Sequence, residues 1–231
     1  MSDSVGGDLR VFRLAVLASG SGSNLQAIIE RLHRRPSQPP AEAADGSVDA
    51  TAPVRIEVAL VVSDVPGARA LERACSATIP TAVIPPDRYP TREEHDLAIA
   101  AAIHESKADL VVLAGYMRLV TPAFVRAFPW RIINLHPALL PAFPGTAGIR
   151  EALSYGVKVT GVTVHFVDEG VDTGPVIAQE PVRVEEGDTA ESLAARIHTV
   201  EHRLLPATIR LIATGRVKPP LPGSRAVRVD Q

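Results

Sequence analysis

Val11-Phe12-Arg13-Leu14-Ala15-Val16-Leu17-Ala18 runs directly into Ser19-Gly20-Ser21-Gly22-Ser23-Asn24. The apolar run reads as a buried strand, and the glycines and serines after it as a turn. From Ser23 to Arg35, Leu25, Ile28, Ile29 and Leu32 recur at helical spacing. Working outward, Arg55 to Val62 reads as a second strand and Gly67 to Thr78 as a helix. Thr81 to Ile84 is a short third strand before Pro85-Pro86, and Thr91 to Ser106 is an amphipathic helix. Thr91 fits its N-cap, with Glu94 three residues later completing a capping box. Asp109 to Ala114 is a fourth strand, apolar after its first residue. Strand and helix thus alternate, the signature of a parallel sheet wrapped by helices. Between Pro36 and Pro53 a Pro-, Ala- and Asp-rich stretch breaks both periods, and reads as a surface loop of unusual length.

The second half departs from that alternation. Trp130 to Ile133 is a fifth buried strand, followed by a Pro-rich loop from Pro137 to Gly145 and a helix from Thr146 to Tyr155. Gly161 to Val167 alternates like a half-covered strand, with Pro175 to Val182 as its neighbour. The intervening Asp168 to Gly174 is too long for a tight hairpin and is free to form a functional loop. A last helix runs from Thr189 to Ala213, with Pro206 expected to kink or divide it. The expected fold is α/β: a Rossmann-like, mostly parallel sheet wrapped by helices, with an antiparallel addition in the C-terminal half. Residues 1–10 are expected to be flexible. Residues 11–217 form a single domain, with a phosphate-binding half at 11–115 and a catalytic half at 116–217. Residues 218–231 are a Pro-rich, mobile tail.

The chain has 231 residues, of which 46% are hydrophobic, enough to fill a sizeable core. Its 24 basic and 26 acidic residues leave a net charge of -2, and no basic block exceeds Arg34-Arg35. Nothing electrostatic therefore points to nucleic acid or an anionic membrane. No apolar run is long enough to span a bilayer, and Met1 to Arg10 lacks the apolar core of a secretory signal. Cys75 is the only cysteine, which excludes an intramolecular disulfide and a cysteine-rich metal site, and its expected role is helix packing. These features point to the cytoplasm.

Asn134-Leu135-His136-Pro137 carries the chemistry. An amide and an imidazole two residues apart at a strand end point to the same side of the sheet. Pro137 stops the pairing, so the next turn opens a cleft. Asn can hold a developing oxyanion and His can shuttle a proton near neutral pH. A carboxylate to orient that His is available in Asp168 to Gly174. The glycine turn supplies a second element: its backbone can approach an anion, and the helix behind it offers free N–H groups. Leu25 stands where a dinucleotide fingerprint needs its third glycine, and no Gly-Lys-Ser/Thr follows, so one terminal phosphate is the better fit. Taken alone, Asn134-Leu135-His136-Pro137 reads better as a capped turn beside a surface His, and the glycine turn reads equally well as a tight turn before a capped helix. His33, His95, His104 and His198 lie on predicted helix faces as surface histidines, His165 reads as structural, and Glu201 as an exposed helix carboxylate.

Taken together, Ser19 to Ile28, Leu113-Ala114-Gly115-Tyr116-Met117-Arg118, Asn134 to Pro141, Gly161 to Gly174 and Thr199 to Pro206 resemble the glycinamide ribonucleotide formyltransferases of purine synthesis. The likeness runs in order from Leu14 to Val217. It implies transfer of a formyl group from the co-substrate 10-formyltetrahydrofolate to the glycinamide amine, with no metal. It implies further that Gly22, Ser23 and Asn24 hold the phosphate and that Glu201 accepts from the ribose hydroxyls. Arg92, Met117, Arg118, Leu119, Val120, Asn134, Asp168 and Asp172 line or border the folate site. Asn134, His136 and Asp172 form the catalytic group, with Asp172 favouring the imidazolium. The implied partners are the two small molecules, without nucleic acid or membrane, and a homodimer is compatible. In one departure, Ala147 stands where relatives often carry His or Asn, so any polar contribution there is missing.

The nearest rivals share the Asn-x-His and Asp machinery: methionyl-tRNA formyltransferases, which usually add a tRNA-binding domain, and formyltetrahydrofolate hydrolases, which usually add an N-terminal regulatory domain. Neither addition finds room here. A nonenzymatic sensor of a phosphorylated metabolite would use the glycine turn and need neither Asn134 nor Asp172.

Overall fold

A computed structural model describes residues 9–35 and 54–230. The loop expected between Pro36 and Pro53 lies outside the described residues, as does most of the N-terminal segment. Seven strands form one sheet: β1 (Arg10–Leu17), β2 (Val54–Ser63), β3 (Thr81–Val83), β4 (Leu110–Leu113), β5 (Ile132–His136), β6 (Val159–Phe166) and β7 (Val176–Arg183). Their order is β3-β2-β1-β4-β5-β6-β7. The first five run parallel, whereas β6 is antiparallel to β5 and β7 to β6. The mostly parallel sheet with an antiparallel addition is the one expected.

Alternate residues of β1 enter separate cores. Leu14 and Val16 pack on one face with Leu25 and Ile28 of α1 (Ser23–Arg31), while Ala15 and Leu17 pack on the other. Burial on both faces explains why this strand lacks polar alternation. The second face is covered by α3 (Arg92–Glu105) through Ile99 and Ile103, and by Phe124 of α4 (Pro122–Ala127). Thr91 caps α3 as expected, its side chain accepting from Glu94 N–H at 3.1 Å. The helix α4 was not anticipated. It has six residues, too few to display a period, although Thr121 and Pro122 mark its start.

Three boundaries differ from expectation. β5 continues through Asn134, Leu135 and His136 instead of ending at Ile133, because β6 pairs with all three. Pro206 does not divide α6 (Ala190–Ala213). Leu193, Ile197, Leu205 and Ile209 are fully buried at four- and eight-residue spacing, and this packed stripe outweighs the single lost N–H bond. The tail, expected to be mobile, folds back: β8 (Val217–Lys218) pairs antiparallel with β9 (Arg228–Val229), and Val227 packs against the first core. Cys75 does lie in a helix, α2 (Arg69–Ser76), but is exposed and not packed. His95, expected on the surface, is buried beside Asp96 at 3.5 Å and its Nε2 faces the Ile84 carbonyl at 2.9 Å.

β1 pairs with β2 on one side and β4 on the other, so strand order reverses there and a crevice opens beyond the carboxyl ends. The glycine turn sits at that point. Gly22 has φ 69°, and a Cβ there would lie 2.7 Å from Ala70 Cα. Left-handed backbone and backbone contact with the segment leading through α2 both demand glycine. Gly22→Ala should therefore destabilise the fold by about 1–3 kcal/mol. Urea denaturation of the two proteins measures this, and equal midpoints would refute the close approach.

Candidate active site

The crevice divides into two cavities, of about 530 Å³ and 320 Å³, which share walls at Gly115, Met117, Leu135, Pro137 and Thr146. The larger is bounded by the glycine turn on one side and by Glu201 and His198 of α6 on the other. At its floor, α1 begins at Ser23, and the first intrahelical bond at this end runs from Gln26 N–H to the Gly22 carbonyl at 2.9 Å. The preceding N–H groups are free to meet an anion, and the first turn carries no acidic residue to oppose one. Asn24 turns its side chain to the other wall, Nδ2 donating to Glu201 Oε2 at 2.9 Å, while its backbone N–H stays at the helix start for an anion. Glu201 is buried, not the exposed carboxylate of the plainer reading, because it occupies the inward stripe of α6 beside Asn24.

Arg73 and the bonds of Ser19 escaped the sequence reading. Arg73 donates from Nε to the Ser21 carbonyl at 2.8 Å, bringing a guanidinium to the turn from α2. Ser19 donates to Asp64 Oδ1 at 2.6 Å and accepts from Met117 N–H at 3.0 Å, tying the turn to the segment after β4. All three links span long sequence separations, which no local pattern signals.

The smaller cavity holds Asn134, His136 and Asp172 together. Alternation along β5 puts Asn134 and His136 on one face, as expected. His136 Nδ1 lies 3.4 Å from Asp172 Oδ2, and its Nε2 lies 2.8 Å from the Phe143 carbonyl oxygen. Both ring nitrogens thus face oxygen acceptors, an arrangement that an imidazolium satisfies fully and a neutral ring by half. Asn134 Nδ2 donates to Asp172 Oδ1 at 3.3 Å and lies 3.2 Å from His165 Nε2. His165, read as structural, therefore belongs to this cluster, its Nε2 3.6 Å from Asp172 Oδ1. It stands directly opposite Asn134 in the β5–β6 ladder, a pairing visible only once the register is known.

Asp172 is the hub. Burial pushes its pKa up, but the His165 ring, the Gly145 N–H at 2.7 Å and the charge of His136 outweigh burial, and the carboxyl sits below its ordinary value. Its φ is 52°, a left-handed conformation that a non-glycine residue keeps only where its surroundings impose it. Asp168 closes the same loop, accepting from Thr173 Oγ1 at 2.7 Å and Gly170 N–H at 3.1 Å. Across the cavity, Arg92 donates to the Leu119 carbonyl, and the side chains of Met117 and Leu119 are largely exposed. Arg118 and Val120 complete that wall. Exposed apolar side chains in a concavity suit a flat, largely apolar ligand. Ala147 lines the larger cavity and precedes α5 (Gly148–Tyr155), which starts without a side-chain cap. Among the described residues no group of three or more His, Cys, Asp or Glu could hold a metal ion, and no helix is long and apolar enough to cross a membrane.

Comparison with known proteins agrees with this geometry. The formyl transferase family profile matches residues 12–209. The phosphoribosylglycinamide formyltransferase of Bacillus subtilis is 41% identical over 198 residues, covering 86% of this chain and 93% of its own. That of Mycobacterium tuberculosis is 45% identical over 202 residues, covering 87% and 85%. Among solved structures, glycinamide ribonucleotide transformylase 1 from Symbiobacterium toebii superposes with a TM-score of 0.83 at 44% identity, covering 99% of this chain and 100% of that one. The chain belongs to the formyl transferase family.

Proposed function

We propose that the chain transfers the formyl group of 10-formyltetrahydrofolate to the amine of glycinamide ribonucleotide, yielding the formylated ribonucleotide and tetrahydrofolate in purine biosynthesis. One observation carries the reading: Asn134, His136 and Asp172 converge where an anion-ready cavity meets an apolar one. The ribonucleotide phosphate meets the N–H groups of Gly22, Ser23 and Asn24, with Arg73 adding positive charge. Glu201 turns its carboxylate to the ribose hydroxyls, steadied by Asn24. The folate lies along Met117 to Val120, between Arg92 and the Asp168–Asp172 loop. The amine is thereby brought beside the formyl carbon, and proximity alone lowers much of the barrier.

Amine attack places negative charge on the formyl oxygen, which an Asn134 N–H and protonated His136 stabilise. The Asp172 contact of Asn134 is long, so one N–H can turn toward the cavity. Collapse of the intermediate breaks the bond to the folate nitrogen. That nitrogen gains a proton as the amine nitrogen loses one, and His136 relays it through Nε2 on leaving the Phe143 carbonyl, while Asp172 faces Nδ1 and holds the positive charge. Residues 11–217 act as one catalytic unit in this reading, in the cytoplasm and without nucleic acid.

A formyl-transfer assay with both substrates tests the assignment directly, and formate release to water without acceptor would favour a hydrolase. The phosphate half is tested separately. Ser23 is the first residue of α1, so Ser23→Asp sets a carboxylate against the incoming phosphate. The Kd for glycinamide ribonucleotide should rise at least about ten-fold, with folate binding nearly unchanged. The dephosphorylated riboside should bind the parent far more weakly than the ribonucleotide. Calorimetry resolves both, and equal affinities would make the turn merely structural.

A further inference from the structure

We propose that Arg225, in the C-terminal tail, is a positioning residue for this reaction, holding the Asp168–Gly174 loop so that Asp172 faces His136 and Asn134. The inference rests on the reading of Asp172 given above. Arg225 lies beyond residue 209, where the family match ends, yet its guanidinium donates to the carbonyl of Thr173, the residue after Asp172.

The loop needs such a tie. Its ends are fixed to the sheet, by Val167 N–H on the Ile132 carbonyl at 3.0 Å and by Phe166 N–H on the Pro175 carbonyl at 2.9 Å. Between them Gly170, Val171 and Thr173 are exposed, and Asp172 holds its left-handed backbone. The Asp168 bonds are internal to the loop and cannot orient it against the protein. Besides the bonds of the Asp172 carboxylate itself, to Gly145 N–H and to the catalytic cluster, two side chains among the described residues reach the loop from elsewhere: Arg126, in a surface pair with Glu169 at 2.9 Å, and Arg225 on Thr173. An exposed ion pair between long side chains contributes little. Arg225 acts on the Thr173–Gly174 peptide, one residue beyond Asp172, and so on the stretch of loop that carries its carboxylate.

The tail is built to present that side chain. Arg216 closes the hairpin, its carbonyl accepting from Asp230 N–H and its Nε donating to the Asp230 carbonyl, both at 2.9 Å. Val227 rests on the core, Ala226 N–H donates to Ser224 Oγ at 3.0 Å, and Ser224 N–H to the Leu221 carbonyl at 2.9 Å. Arg225 therefore projects from an ordered segment, and less freedom is lost in forming its bond to Thr173.

The test uses the full chain and the variants Arg225→Ala, Arg225→Lys and Arg228→Ala. Arg228 is exposed on the same tail and is the control for lost charge. Arg225→Ala should lower kcat about five-fold, the scale of one exposed hydrogen bond, with KM for the ribonucleotide unchanged. Amide hydrogen exchange over residues 170–174 should accelerate by a similar factor. Arg225→Lys should recover part of both effects, and Arg228→Ala should match the parent. Parent-like exchange or parent-like kcat in Arg225→Ala overturns the proposal, as does acceleration spread evenly along the chain. Exchange is read without turnover, so a parent that transfers no formyl group would defeat the reading of the site while the tether is still decided.

Discussion

His136→Ala lowers kcat by about two to four orders of magnitude, the scale of a lost proton relay, and leaves the Kd of glycinamide ribonucleotide nearly unchanged. The reason is positional. His136 is buried at the end of β5 with its two nitrogens fixed by Asp172 and the Phe143 carbonyl, so no neighbour can take over its place. In the proposed binding mode the phosphate lies at the other end of the crevice, on backbone groups that the substitution does not touch. Steady-state kinetics and calorimetry on one preparation separate the two effects. Near-parent turnover would remove His136 from the mechanism.

Asp172→Asn should cost about two to three orders of magnitude in kcat with modest loss of loop order. Asparagine keeps a side-chain oxygen for the Gly145 N–H but lacks the charge that faces His136 and His165. Stability supplies an independent signature. The native pKa of Asp172 is depressed, so its ionised form stabilises the fold at pH values above the unfolded value of about 4. That contribution is lost as pH falls through the lower native value. The parent should therefore lose thermal stability on acidification more steeply than Asp172→Asn over that window. Parallel melting curves against pH would mean that the carboxylate is not held as the geometry indicates.

The alternation of strands and helices through β4 was legible because each strand contains an apolar run and most turns carry glycine or proline. The convergence of the candidate trio was legible in part: Asn134 and His136 share a strand face by spacing alone, and Asp172 sits in a loop too long for a hairpin. His165 was not legible. Its partner Asn134 lies 31 residues away and is reached only through the antiparallel register of β6. Arg73 and Arg225 were hidden likewise, since each acts on a backbone carbonyl about fifty positions distant. Pro206 misled in the opposite direction: a local rule against proline in helices yielded to four buried aliphatic side chains on one stripe.

The sheet ends in two strands that resist further growth. β3 is three residues long and runs into Pro85-Pro86, and β7 carries Pro181, which has no N–H to offer a visiting chain. Beside Pro181, Glu180 is engaged by Arg203, which reaches across from α6 and crowds the margin with charge. Short length, proline and charge at a free margin are the features that keep exposed backbone from templating a foreign strand. A catalytic crevice that needs an extended sheet to set its spacing is thus carried on a scaffold whose flanks discourage edge-to-edge polymerisation, which keeps such a chain usable at high concentration.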